Sequence, residues 1–459
     1  LVFKKRYDAL SRLSGDIDPR TGTTSNYSTK YSYHTNTTWV KEVKDAANKR
    51  LSYTDYDQAG RAVLGRDAYD YTTRTAYTPR GEVEFVWGSA IMPVSYGYNS
   101  YGERTSQTTY RDSGNVLSKD ASAWPGAALA GDTTTWAYDG PSGLLWKRTN
   151  ADQSLVEHKY NVRGQSAQRI ASRLKPNSST EKVTATYTYF PATGGDPNTG
   201  ELKSITYNDS TPSVSYQYDR LGRMTTVADV TGTRNFEYNS SQPWRLDRER
   251  LPLLGGTTYF YGARLLTPTF ETSTPIGPSF PGHTLAAVPG RQNGLQLGQQ
   301  GATAADVDYM VGFDNLGRTA GMIGRRNNGE SASALQYIYS YLSNSALVQN
   351  LAIQTTPYGT PASSPFSVSR TFEASRDLMT EIKTQWSTEL RTQYTYAYDD
   401  RRLRNTVVQR GTVFADYGGA DGDAIHLVYN YNGRSELTAA GTFLGATINQ
   451  QDSLSGRRF

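Results

Sequence analysis

Carboxylates and guanidinium groups recur beside aromatic residues along this chain, and such sets can move protons or hold anions. Asp57 stands four residues before Arg61, Asp219 four before Arg223, and Asp314 four before Arg318. Each Asp directly follows Tyr56, Tyr218 or Phe313. In "YTYAYDDRRLRN", Tyr394, Tyr396 and Tyr398 lead into Asp399 and then Arg401, Arg402 and Arg404. Acid–base catalysis needs one such constellation, whereas this one returns again and again. Repetition points to a turn instead: Asp caps the bend with its side chain, and Arg stacks on or pairs near a tyrosine. The four histidines, His34, His158, His283 and His426, are far apart and read as scattered surface residues. No nucleophile elbow, zinc-protease helix or phosphate loop occurs. "GGADGDAIH" (Asp421, Asp423) and "SGDIDPRTG" each offer two carboxylates, short of the oxygen ligands calcium takes, and read as glycine-rich turns. No catalytic residue, cofactor site or metal ligand is assigned.

The elements behind these residues are hairpins. The unit is aromatic, Asp or Asn, two or three variable residues, Gly, then usually Arg or Glu. Clear copies are Tyr56-Asp57 with Gly60-Arg61, Tyr218-Asp219 with Gly222-Arg223, and Phe313-Asp314 with Gly317-Arg318. Looser ones are Tyr7-Asp8 with Ser11, Tyr77 with Gly81, Tyr98 with Gly102, Tyr138-Asp139 with Gly143, and Tyr160-Asn161 with Gly164. Tyr238-Asn239, Tyr398-Asp399 and Tyr429-Asn430 with Gly433-Arg434 continue the series. Gly supplies the positive φ that ends a type I turn and starts a bulge. Before the turns, residues alternate, as in Val183, Ala185, Tyr187 and Tyr189 against Thr184, Thr186 and Thr188. Period two means strand. A repeat of about 20 residues fits two strands and their turns. The stretch 37–51, the best helical candidate, fits a helix only partly and reads as strand, turn, strand.

Composition agrees: 34 tyrosines, 42 glycines and only 36% apolar residues make a polar β chain. Net charge is +5 with the signs interspersed, so no basic block grips nucleic acid. Cysteine is absent, which excludes disulfides and thiol chemistry. No stretch reaches the roughly 18 apolar residues of a membrane helix. The ends, "LVFKKRYDALSRLS" and "DSLSGRRF", begin and stop inside pattern units, so the sequence reads as part of a longer chain. Three regions are expected: repeat sheet over 1–263, a Pro/Gly-rich insertion or irregular layer over 264–308, and repeat sheet again over 309–459. Residues 171–182 read as a polar loop.

The Tyr-Asp-x-x-Gly-Arg unit at this spacing resembles the YD repeat of the Rhs family, which includes polymorphic toxins, shell components of insecticidal toxin complexes and the repeat region of teneurins. The similarity covers nearly the whole chain. It implies an all-β fold in which one long antiparallel sheet of hairpins spirals into a hollow shell. It further implies a secreted or surface-exposed bacterial protein whose partners are the rest of its own chain or neighbouring shell chains, with a C-terminal toxin as cargo. No processing domain or effector is visible in these residues, so encapsulation is implied for the parent protein. The rows of tyrosine leave an alternative: an extracellular carbohydrate-binding or adhesive fibre stacking its rings on glycans.

Overall fold

The computed structural model describes residues 3–20, 27–111, 122–125, 129–176, 180–191, 200–251, 264–270, 292–299, 307–326, 333–357, 365–414, 424–445, 448 and 453–458. These hold 33 β-strands, from Lys4–Tyr7 to Ser453–Arg458, and one 3-10 turn at Thr412–Phe414. Every strand pairs antiparallel with the strands before and after it, as Arg50–Tyr56 does with Val40–Asp45 and Ala62–Arg66. Among the described residues no ladder joins strands that are not consecutive, so the sheet is an open up-and-down ribbon. The alternation of β-branched and aromatic residues therefore does produce an all-β chain. The 37–51 stretch is strand Val40–Asp45, a turn, and strand Arg50–Tyr56.

Two stretches hold more strand than their composition advertises. Strand Ser166–Leu174 takes in residues 171–174 of the polar segment. Within 264–308, Arg264–Phe270 and Gln292–Gln299 pair with each other and with their neighbours, carrying the ladder through. Pro268 faces Leu295 in that pairing. Residues 271–291 lie outside the described residues.

Little of the ribbon is buried. Eleven apolar side chains fall in the buried class among the described residues, including Val183, Ala185, Ala320, Ile323 and Ile338. The largest buried cluster is Ala320, Ile323 and Ile338 with Ala352 against it. A wall one sheet thick has no interior to fill, so stability must come from hairpin pairing and lateral side-chain contacts.

The turns sort onto two edges of the ribbon. The Tyr-Asp turns, such as 57–61 and 314–318, lie on one edge, called here the repeat edge. Turns 45–49, 67–71 and 150–154 lie on the other. Far along the chain the two edges meet. Arg20 donates to the Glu373 carbonyl and pairs with Asp377. Lys49 Nζ lies 3.0 Å from Asp400 Oδ2, and the Asp400 N–H donates to the Tyr69 hydroxyl at 3.1 Å. The Arg401 guanidinium sits 5.1 Å from the Tyr69 ring and 5.6 Å from the Tyr71 ring. These partners are 330 to 357 residues apart, so the ribbon winds back on itself.

Candidate functional site

The repeat edge is built from one turn used many times. In the 57–61 copy, Asp57 Oδ1 accepts the N–H groups of Ala59 and Arg61, both at 2.9 Å. Asp57 Oδ2 accepts from Arg61 Nε and Nη2, both at 2.7 Å. The Gly60 N–H closes the turn on the Asp57 carbonyl at 3.0 Å, with Gly60 at φ 79°. The pairing then slips by one residue between Asp55 and Tyr56, the bulge that a positive-φ residue creates. Asp219 with Arg223 and Asp314 with Arg318 repeat the set. Gly81, Gly102, Gly222 and Gly317 take φ 97°, 84°, 73° and 76°. In the worn copy at Asp399, Arg402 takes φ 68° in the glycine's place.

These carboxylates are spoken for. The Arg61 backbone N–H, ahead of its guanidinium, holds Asp57 below the usual carboxylate range. The Arg223 guanidinium does the same first for Asp219. Burial alone would raise the Asp314 carboxyl, but the Arg318 N–H and guanidinium outweigh it and leave it lowered. A carboxylate with both oxygens filled by donors and a depressed pKa is a poor general base at neutral pH. The set is chemistry for a bend.

Tyrosine ties each hairpin to the one before it. The Tyr77 hydroxyl donates to the Ala62 carbonyl at 2.8 Å, and Arg61 stacks 4.6 Å from the Tyr77 ring. Tyr98 reaches Val83, Tyr238 reaches Met224, Tyr341 reaches Thr319 and Tyr398 reaches Met379 in the same way. Eleven tyrosines make this bond among the described residues. Arg223 lies 4.3 Å from the Tyr238 ring and Arg318 lies 4.2 Å from the Tyr341 ring. Burial raises the hydroxyls of Tyr98, Tyr238 and Tyr341, keeping them protonated as donors. Tyr56 binds the Val40 carbonyl at 3.0 Å, and Tyr218 meets Phe190 edge-on at 6.3 Å. Phe313 has the ring without the hydroxyl.

The last unit stands two residues later than its sequence was read. The bend runs from Asn432 to Glu436, with Asn432 Oδ1 accepting from Arg434 and Glu436 N–H groups at 2.9 and 3.0 Å. Ser435 takes the positive φ of 65°, and Tyr431 makes the hydroxyl bond, to the Arg404 carbonyl at 2.7 Å. Tyr429 lies earlier on the strand, and Gly433 has no positive φ. Gly433 is needed for another reason. A Cβ there would lie 2.3 Å from Cε1 of Tyr71, whose ring rests on it from the opposite edge.

On that opposite edge sequence reasoning found the 45–49 turn but missed those at 67–71 and 150–154. Asp45 accepts from Ala47 and Lys49 N–H groups at 2.9 Å, and Asn48 takes φ 63°. Asp67 accepts from the Tyr69 and Tyr71 N–H groups at 2.8 and 2.9 Å, with Asp70 at φ 65°. At 150–154 the backbone closes the bend, the Gln153 N–H donating to the Asn150 carbonyl at 3.0 Å with Gln153 at φ 65°. The signal was the Asp or Asn three residues before another residue that tolerates positive φ.

The histidines do not converge. His34 Nε2 bonds the Thr54 carbonyl at 2.7 Å, and His158 stacks on Tyr160 with burial, then Arg169, lowering its pKa. His426 is buried rather than at the surface, 3.0 Å from the Gly445 carbonyl. His283, Asp421 and Asp423 lie outside the described residues. Among the described residues no group of three His, Cys, Asp or Glu is placed to hold a metal. No helix there is long and apolar enough to cross a membrane.

The remaining question is whose repeat this is, and residues 198–234, spanning the Tyr218–Arg223 turn, match the family model of the RHS repeat. This segment of the chain is similar to the RHS repeat. Solved structures align over almost all of the chain. The crystal structure of TcdB2-TccC3-TEV matches at 13% identity over 98% of this chain and 27% of that one, with a TM-score of 0.29. The Tc holotoxin pore of Photorhabdus luminescens matches at 13% identity over 96% of this chain and 26% of that one, with a TM-score of 0.28. The chain thus spans about a quarter of the length of these structures. No curated protein matches the sequence.

Proposed function

We propose that this RHS-repeat chain is a structural wall segment of a secreted or surface-exposed bacterial protein, and that the wall surrounds a cargo such as a C-terminal toxin. The observation that carries the reading is the meeting of the two ribbon edges. The turn at 45–49 precedes the fifth strand and the turn at 399–403 follows the twenty-ninth, so one winding takes 25 strands. At about 4.8 Å per strand that is a girdle of about 120 Å, or about 38 Å across if round. Side chains of about 5 Å on the concave face leave a lumen of about 28 Å. The scarcity of buried apolar residues supports a hollow over a packed centre. The tyrosines support a structural role over sugar stacking, because their hydroxyls bond the preceding hairpin and several ring faces carry an arginine.

Single-particle electron microscopy of the full-length parent protein tests this. The expected density is a curved, single-layer wall with additional density against its concave face. A flat sheet, or two sheet faces packed together without a lumen, would refute the wall reading. An empty lumen in the full-length protein would refute the cargo.

A further inference from the structure

We propose that the joint between the two windings is an ionic latch, along which the wall parts while the hairpin ladder stays intact. The consequence for an enclosed lumen rests on the wound-wall reading above; the latch itself does not.

The joint differs in kind from the rest of the wall. Within a winding, neighbouring strands share backbone ladders. Across the joint no strand pairing occurs among the described residues, and the contacts are those of turns. Their chemistry is ionic and cation–π: Arg20 on Asp377, Lys49 on Asp400, Arg401 over Tyr69 and Tyr71. Arg376 is held ready at the joint, with Nε and Nη2 at 2.5 and 2.6 Å from the Glu373 carboxylate and Nη1 bonded to the Asp399 carbonyl at 2.8 Å. The Glu373 carboxylate first, and then the charges of Asp45 and Asp400, hold its guanidinium protonated. Asp45 comes from the other winding. It is 1% exposed, and its Oδ2 has no hydrogen-bond partner.

The joint is also open to solvent ions. A cavity of about 350 Å³ runs into it, lined by Arg50, Asp67 and Ala68 from one winding and Asp400, Arg401, Arg402 and Ser435 from the other. Among the described non-glycine residues at positive φ, Arg402 is the one cation, where the others are Ser, Asn, Asp or Gln. Screening shortens the reach of such charges from about 10 Å at 0.1 M salt to about 3 Å at 1 M. Backbone ladders are not screened in this way. Salt therefore weakens the joint while the backbone ladders within each winding hold.

The absence of cysteine allows one labelled pair to report on the joint. Ala68→Cys and Ser435→Cys, both on the cavity wall, carry spin labels, and their distance distribution is followed from low salt to 1 M NaCl. The expected result is one short distance at low salt and a second, longer population that grows with salt. Arg401→Ala should raise that population roughly tenfold at any given salt by removing the stacking on two tyrosines. Amide exchange in strands Arg50–Tyr56 and Glu389–Tyr398 should stay unchanged throughout. A long distance already at low salt would overturn the wound wall itself. A short distance indifferent to salt and to Arg401→Ala would overturn the latch alone. Separation accompanied by faster exchange in both strands would show local unfolding and overturn the parting.

Discussion

Gly433→Ala isolates the contact between windings from every other property of a glycine. Gly433 lacks a positive φ, so its backbone accepts alanine without strain. The new Cβ would lie 2.3, 2.4 and 3.0 Å from Cε1, Cδ1 and Cζ of Tyr71. Carbon–carbon contact is comfortable at about 3.5–4.0 Å, so the rigid ring must retreat by more than about 1 Å. Forcing a methyl into such a space costs about 1–3 kcal/mol. The ring cannot retreat alone. Tyr71 is the last residue of the 67–71 turn, so its movement lifts Tyr69 from the Asp400 N–H and unstacks Arg401. The Asp400 amide is a direct reporter, because its bond is to Tyr69 on the other winding. Hydrogen exchange at Asp400, Tyr69 and Tyr71 should quicken about 10- to 100-fold, which corresponds to about 1.4–2.8 kcal/mol. Gly317→Ala is the counterpart. Gly317 sits at φ 76° with nothing within 4 Å of a Cβ, so that change should cost about 1 kcal/mol from backbone strain and act only on its own turn. Unchanged exchange at Asp400 in Gly433→Ala would refute the close approach of Tyr71.

Two further outcomes follow from the turn chemistry. Asp314→Ala strands the N–H groups of Leu316 and Arg318 and removes the partner of a half-buried guanidinium, so it should destabilise by about 2 kcal/mol. Asp314→Asn keeps the acceptor and should cost about half as much; equal denaturant midpoints for both variants would contradict the cap. The carboxyls of Asp8, Asp57, Asp219 and Asp314 are all held below their ordinary value of 3.8 by donors in the folded state. The unfolded chain then binds more protons below that value, so the stabilisation is full above about pH 5 and is lost as pH falls through the folded values. The midpoint of denaturation should be flat near neutrality and drop in acid, more steeply for the wild type than for a variant with Asn at 57, 219 and 314; a flat profile down to pH 3 would count against it.

Strand, bend and repeat were legible because each is local. Tyr56, Asp57, Gly60 and Arg61 state a hairpin within six residues, since the bond pattern closes inside the unit. The opposite-edge turns at 67–71 and 150–154 were hidden because Asp70 and Gln153 do the work that glycine does on the repeat edge. The final bend was misplaced by two residues because Tyr429 and Tyr431 both precede an Asn on the same face, and only the capping bonds of Asn432 choose between them. The joint between windings was not legible at all. The approach of Tyr71 to Gly433 depends on curvature summed over some two dozen strands, and no local residue pattern encodes that sum.

The tyrosine bonds run in one direction. Each hydroxyl reaches back to a carbonyl of the hairpin before it, 14 to 34 residues upstream among the described pairs, and no hairpin is fastened until its successor exists. A chain emerging from the ribosome would therefore lock behind its growing end, one hairpin at a time. The turns at Arg20, Lys49 and Tyr69 must wait for more than 300 further residues before their partners are made. During synthesis the first edge of the ribbon is a bare, charged rim, and its far contacts form last.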